Sequence, residues 1–457
     1  MKIFSIKEIF YNKIKIKKTI KVYGWIRSKR DSKNGISFID IFDGSCSNTL
    51  QIIAKSNLKN YKDEIIKLTS GCSICAIGIL IYSRRKEQKY ELLLNKLKIF
   101  GIINDPDKYP ISLKKHTFEY LRKFAHLRPR TKFFSSVSRI RNSLLNGINN
   151  FFKKENFIWV PTPIITRINT EGSGSMFNVS PYNFFQKSKL LNEKKKFFKD
   201  SFLTVSGQLT LETYASALSK VYTFGPVFRS EDSNTKRHLS EFWMLEVEVS
   251  FFDLKKIILL SKNILKYVSE YILKDCLYDI EFLEKNFNKN IIINLNNLIE
   301  LNFIELEYKD IIILLNKLGK KISFGEDISL DKEKYIVNKY FCKPVIIKNF
   351  PKQLKAFYMR NNSDNVTVAS MDIFLPNIGE VVGGSQREER LEILDNKFNE
   401  FNLSKEKYWW YRDLRKYGTS FHSGFGIGFE RLLCYIIGLE NIRDASPFPK
   451  TLNKFNY

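Results

Sequence analysis

Five short segments of alternating apolar residues lie between residues 19 and 100, and this restricts the first part of the chain to a small all-β unit. They run from Thr19 to Arg27, Ile36 to Phe42, Leu50 to Ala54, Ser73 to Ser83 and Tyr90 to Phe100. Turn-forming runs such as Lys33-Asn34-Gly35 and Asp43-Gly44-Ser45 separate them. Five short strands leave two unpaired edges unless the sheet closes, so a barrel over residues 1–100 is the expected fold. Cys72 and Cys75 form a CxxC pair, but with no second pair or histidine cluster near it they read as small apolar residues of a strand rather than zinc ligands.

A barrel of the oligonucleotide-binding (OB) type holds single-stranded nucleic acid on one face, with aromatic side chains as stacking platforms. Phe38 and Gln51 fall on neighbouring expected strands. Charge agrees with a polyanionic partner: 75 Lys and Arg against 48 Asp and Glu give a net charge of +27. Lys, Ile, Asn and Phe are abundant together, the set that A/T-rich codons encode, so codon bias accounts for part of that excess. No apolar run is long enough to span a bilayer, and Met1 to Glu8 lacks the apolar core of a signal peptide, so a cytoplasmic protein without membrane contact is expected.

Residues 101–130 carry Asp105-Pro106, Tyr109-Pro110 and Arg128-Pro129-Arg130 and read as a hinge. A second domain, 131–457, follows. Thr131 to Phe152 has helical spacing, Phe157 to Ile165 reads as a strand interrupted by Pro161 and Pro163, and 253–345 reads as a largely helical insertion. Further strands are expected over Val221 to Val227, from Ser240, over Val366 to Phe374 and over Gly379 to Val382. The first two would form a hairpin that places Arg229 beside a basic loop, suited to clamping a triphosphate. The run His422-Ser423-Gly424-Phe425-Gly426-Ile427-Gly428-Phe429-Glu430-Arg431 reads as a glycine-rich turn entering an apolar helix, with Arg431 at its start.

The hairpin, the glycine-rich run and the helix-strand pair ending at Pro163 resemble motifs 2, 3 and 1 of the class II aminoacyl-tRNA synthetases. With a barrel in front, the chain is similar to the subgroup handling aspartate, asparagine and lysine, and most to its bacterial asparagine branch. The segments that carry this are Phe202 to Leu209, Arg237 to Met244, Gly379 to Arg390 and Tyr408 to Gly418. The resemblance implies a multidomain protein: an OB-fold anticodon-binding barrel, then an α+β catalytic domain built on an antiparallel sheet with flanking helices. It implies a homodimer through the motif 1 region, with Pro163 at the interface. The implied reaction is two-step, forming asparaginyl-adenylate from asparagine and ATP and then passing the acyl group to tRNA for asparagine.

Residue roles follow from the same resemblance. Arg229 and Arg431 would act on the phosphates in catalysis, with His238 on the outer ones, Glu231 on the adenine amino group and Phe242 under the ring. Asp372 and Glu380 would hold Mg2+, Asp372 with less support because it is offset by one residue and a ligating serine of some relatives is replaced by Gly383. Glu171 and Glu246 would accept the α-ammonium, Gln208 would support the backbone end of the amino acid, and Arg387 would bind the side-chain carbonyl. Aspartyl enzymes carry a lysine where this chain has Leu211, and the adjacent Glu212 would accept an amide but repel a carboxylate. Phe38 and Gln51 would stack on and hydrogen-bond the central anticodon base. The alternatives are an aspartyl-tRNA synthetase, against which Leu211 and Glu212 argue, and an asparagine synthetase of the same catalytic fold, which needs no barrel.

Overall fold

The computed structural model describes residues 2–11, 14–83, 88–170, 176–180, 201–230, 235–287, 289–300 and 303–452. It divides into a smaller unit, Met1–Ile140 with Cys276–Asn288, and a larger one, Arg141–Asp275 with Lys289–Tyr457.

In the smaller unit, β1 (Thr19–Ser32), β2 (Ile36–Phe42), β3 (Leu50–Lys55), β4 (Ser73–Tyr82) and β5 (Tyr90–Gly101) close into a barrel in the order β1-β2-β3-β5-β4. Closure follows from the alternation: Ile20, Val22, Ile39, Ile41, Leu50, Ile52, Ile74 and Leu92 all point into one buried core. The first strand runs five residues past its expected end, because it pairs with β2 up to the turn, where Gly35 takes a positive φ of 69°. Arg27 is the extra residue of a β-bulge between Ile26 and Ser28. Cys75 lies in β4 and Cys72 just before it, both buried with free thiols. The hinge residues contain a helix, Phe118–Lys123, and two single 3-10 turns. Within the insertion, the helix Leu277–Phe287 belongs to this unit, where Asp279 accepts from Ser136 and Arg139 and Tyr278 stacks on Tyr11.

The larger unit is organised on an eight-stranded sheet. Its strands are β6 (Ile158–Trp159), β9 (Lys220–Phe228), β10 (Glu241–Ser250), β11 (Ile304–Glu307), β12 (Val345–Lys348), β13 (Ser370–Leu375), β14 (Gly379–Gln386) and β15 (His422–Gly428), in the order β11-β12-β13-β14-β15-β10-β9-β6. The interior pairs are antiparallel as expected, while the two edge pairs, β11 with β12 and β6 with β9, are parallel. A separate two-stranded sheet joins β7 (Ile165–Thr166) to β8 (Phe202–Leu203). The expected strand 157–165 is thus split into two short pieces, because Pro161 and Pro163 offer no N–H to a ladder. Helix Leu254–Asp275 packs against β13, β14 and β15, and helix Gln208–Leu218 against β9 and β10.

The glycine-rich run is not a turn. Residues 422–428 form β15 in the middle of the sheet, since Phe425 and Ile427 alternate with the glycines and are fully buried on the side opposite them. The apolar helix Phe429–Ile437 does follow, and ends at Gly438 with φ 68°.

Candidate active site

Four antiparallel strands, β13, β14, β15 and β10, bring residues distant in sequence into rows across the sheet. Register pairs Asp372 with Gly383, Gly383 with Gly426, and Gly426 with Glu246. The next row pairs Ser385 with Gly424 and Gly424 with Glu248. Glycines in β14 and β15 therefore leave a trough between carboxylates on β10 and β13. Above it lies a cavity of about 550 Å³. Gln208, Arg229, His238, Phe242, Glu246, Asp372, Glu380, Arg387 and Arg431 all line it.

At one end the Arg229 guanidinium sits 5.3 Å from the Phe242 ring, and the Arg229 backbone N–H donates to the Ser240 carbonyl at the base of the hairpin. His238 Nδ1 lies 2.6 Å from Thr235 Oγ1. Arg431 donates to the Glu380 carbonyl at 2.9 Å, which fixes its fork over β14. The helix carrying Arg431 is itself pinned by Glu430, a buried carboxylate that accepts from the Trp243 N–H and pairs with Arg141 at 2.8 Å. Burial raises the Glu430 carboxyl above its ordinary value, and Arg141 opposes that rise.

In the middle, Asp372 is buried and paired with Lys355. Burial pushes its carboxyl up to about 6, with Lys355 opposing and Glu380 adding to the rise. A Cβ on Gly383 would lie 3.1 Å from Glu380 Oε1 and 3.6 Å from Asp372 Oδ1, so the two carboxylates converge on one point that the missing side chain leaves open. Among the described residues, no group of three or more His, Cys, Asp or Glu forms a metal cage.

At the far end Arg387 is fully buried, donates to both oxygens of Glu248 and to Ser385 Oγ at 2.6 Å, and lies 5.0 Å from the Tyr358 ring. Burial raises the Glu248 carboxyl above its ordinary value, with Arg387 opposing that rise, and Glu248 in turn holds the buried guanidinium firmly protonated. Tyr358 donates to Gln208 Oε1 at 3.3 Å. Glu246 accepts from Ser206 Oγ and from the Gly207 N–H at 2.9 Å, which seats it at the start of helix Gln208–Leu218.

Glu212, on that same helix, does not line the cavity. It is 2% exposed, and its oxygens accept from Tyr411 at 2.9 Å and from Arg415 and His422 at 2.8 Å each. Its lone pairs are taken up by the protein, so direct acceptance from a substrate amide requires that one partner yield. Glu171 and Glu231 lie outside the described residues. Glu248, Tyr358, Lys355, Arg237 and Glu430 were not singled out by sequence, and of these all but Glu248 line the cavity. Glu248 was open to inference, two residues from Glu246 on a strand and hence on its face.

On the barrel, Phe38 is half-buried beneath the Arg30 guanidinium, 5.3 Å from its ring. Gln51 pairs across from Asp40, two residues from Phe38, and its amide donates to Glu91 at 2.9 Å. The two therefore share the outer face of adjacent strands.

Residues 117–452 match the family model "tRNA synthetases class II (D, K and N)", and residues 20–100 match "OB-fold nucleic acid binding domain". The chain is 53% identical over 466 aligned residues to the asparagine–tRNA ligase of Buchnera aphidicola subsp. Baizongia pistaciae, covering 100% of both. It is 48% identical to that of Haemophilus influenzae strain PittEE, again over 100% of both. Among solved structures it is similar to the asparaginyl-tRNA synthetase of Pyrococcus horikoshii complexed with asparaginyl-adenylate, at 28% identity, TM-score 0.85 and 96% of each chain.

Proposed function

The chain belongs to the class II tRNA synthetases that serve aspartate, lysine and asparagine, and on that premise we propose how its cavity performs the work of an asparagine–tRNA ligase. The enzyme activates asparagine with ATP and esterifies the amino acid to tRNA. In the first step a carboxylate oxygen of asparagine attacks the α-phosphorus, the bond to the β-phosphate oxygen breaks, and asparaginyl-adenylate and pyrophosphate form. In the second a ribose hydroxyl of the terminal adenosine attacks the acyl carbon, its proton is lost, and AMP leaves. Neither step needs a protein nucleophile; both need alignment and charge neutralisation.

Arg229 holds the α-phosphate against the attacking carboxylate, with Phe242 beneath the adenine. His238 and Arg431 take the outer phosphates, and Arg237, the neighbour of His238 in the lining, adds a further cation there. Asp372 and Glu380 fit a Mg2+ ion, because their oxygens converge above Gly383 and two carboxylates with substrate phosphates satisfy that hard cation. Such an ion supplies neutralisation of the phosphate charge. Glu246 receives the α-ammonium, and Gln208, fixed by Tyr358, supports the same end. Arg387 donates to the side-chain carbonyl of asparagine. Glu212 acts from behind, holding Arg415 and His422.

One observation carries this reading: the cavity gathers Arg229, Phe242, Glu246, Arg387 and Arg431 from four separate segments. Four apolar side chains near Pro163, those of Ile158, Trp159, Ile164 and Ile165, are about half exposed and support a homodimer through that edge. No helix among the described residues is long and apolar enough to cross a membrane, which accords with a cytoplasmic site of action. Pyrophosphate exchange measured separately with asparagine and aspartate, followed by charging of tRNA, tests the function. Exchange with asparagine and charging of its tRNA are expected; exchange with aspartate alone would refute the specificity.

A further inference from the structure

The smaller unit contains a second cavity, of about 260 Å³, that the aminoacylation reading does not use. It lies between the bulge of β1 and the hinge, and Arg27, Lys114, Lys115, His116, Arg130 and Lys132 line it with no acidic residue among the lining. Arg27 reaches it because a β-bulge, which re-aims the side chain of its extra residue, falls at that position. The guanidinium rests 4.3 Å from the Phe42 ring and donates from Nη2 to the Arg130 carbonyl, while its Nε is buried with no hydrogen-bond partner. Among the described residues, Arg27, Arg130 and Lys132 form no ion pair with any carboxylate.

Thr131, Lys132 and Phe133 also line the cavity, and they begin a helix of 23 residues whose first turn carries no acidic residue. The positive end of that helix dipole therefore adds to the three cations. Burial pushes the Arg27 guanidinium down to about 10 and lowers the Lys132 ammonium, which also feels Arg27 beside it. Asp40 counters both of these shifts but lies outside the lining, so the partly buried cations gathered at the cavity leave an excess of positive charge that an anion would offset.

We propose that this cavity is a binding site for a single phosphate group of a phosphate ester, held by Arg27, Arg130 and Lys132. The group comes either from a free phosphate ester or from the backbone of bound tRNA; only the second source rests on the tRNA reading above. Isothermal titration of the full-length protein with inorganic phosphate tests it, with the larger cavity filled by a non-hydrolysable asparaginyl-adenylate analogue.

Binding at one site is expected, weakened at least tenfold by Lys132→Ala and by Arg27→Gln and retained by Lys132→Arg. Thermal unfolding shows that the variants fold, and their pyrophosphate exchange keeps failure here distinct from failure of the adenylate site. In parallel, tRNA affinity is measured against salt. A slope reduced by about one in Lys132→Ala assigns the site to a tRNA phosphate, because each neutralised phosphate contributes roughly that much; an unchanged slope with lost phosphate binding assigns it to a free ester. Phosphate binding that Lys132→Ala leaves intact overturns the proposal, as does no phosphate binding together with an unchanged slope.

Discussion

A buried arginine can read a neutral amide only if something else holds its charge, and Glu248 does so for Arg387. Glu212 plays the matching part for Arg415 and His422. Although burial alone would raise the Glu212 carboxyl, Arg415 and His422 outweigh it and hold the group at about 2, below the ordinary 4.5. A carboxyl depressed in this way contributes stability that is fully present above its unfolded value of 4.5 and is lost as pH falls from there through about 2. Glu212→Gln keeps the shape but orphans Arg415, and breaking a buried pair costs about 3–5 kcal/mol. The variant is expected to melt well below the parent at pH 7, with the gap narrowing when both are measured near pH 3. A gap of constant size across that range would show that the ionised form of Glu212 contributes nothing. The motifs around Arg387 and Glu212 singled out both residues in the sequence. It could not make their partners legible, because Glu248 stands 139 positions from Arg387, and Arg415 and His422 stand 203 and 210 from Glu212, separations that no local periodicity encodes.

Elements explain why the glycines are where they are. The opposing faces of β15 have opposite demands: Phe425 and Ile427 fill the buried core, while Gly424 must leave room for the ion pair that passes from Arg387 to Glu248 and Gly426 lies against the Met244 side chain. A Cβ on Gly424 would collide with the Glu248 carboxylate and the Val247 carbonyl. One of these is backbone in a central strand, so the collision has little relief. Gly424→Ala is expected to displace Glu248 and free Arg387, raising the KM for asparagine in exchange at least tenfold, and to lower stability by about 1–3 kcal/mol as overpacking does. Thermal melts with exchange kinetics at saturating ATP check this; an unchanged KM for asparagine would separate Gly424 from the amino-acid end of the cavity. The residue order of this segment invited a turn, because three glycines in seven positions are a strong turn signal and strand propensity is low. Its alternation of glycine with Phe425 and Ile427 was the better guide, since sheet position is set by burial on both sides rather than by intrinsic preference. The two prolines before β7 worked the other way, and divided an expected strand for the reason they were suspect.

At the scale of the molecule, the nucleic-acid-binding barrel and the larger unit of the synthetase domain have separate cores. The barrel was legible nearly strand by strand, since five alternating segments must close or expose their edges. The assignment of Leu277–Phe287 to the smaller unit was not, since an amphipathic helix carries no label for the core that receives it; Asp279 and Tyr278 find their partners only in three dimensions. Separate cores make the two functions separable by mutation. Phe38 offers a half-buried ring beneath Arg30, and Gln51 stands two residues across from it on the same face. Removing a stacking ring costs about 1–3 kcal/mol per base, equivalent to roughly 5- to 150-fold in affinity. Phe38→Ala is therefore expected to raise the KM for tRNA by about that factor in charging assays. Exchange of pyrophosphate with asparagine, which involves no tRNA, should stay within about twofold of the parent, because Phe38 is not among the residues that line the larger cavity. Equal loss in the two assays would mean that Phe38 supports folding of the whole chain and not recognition of a base.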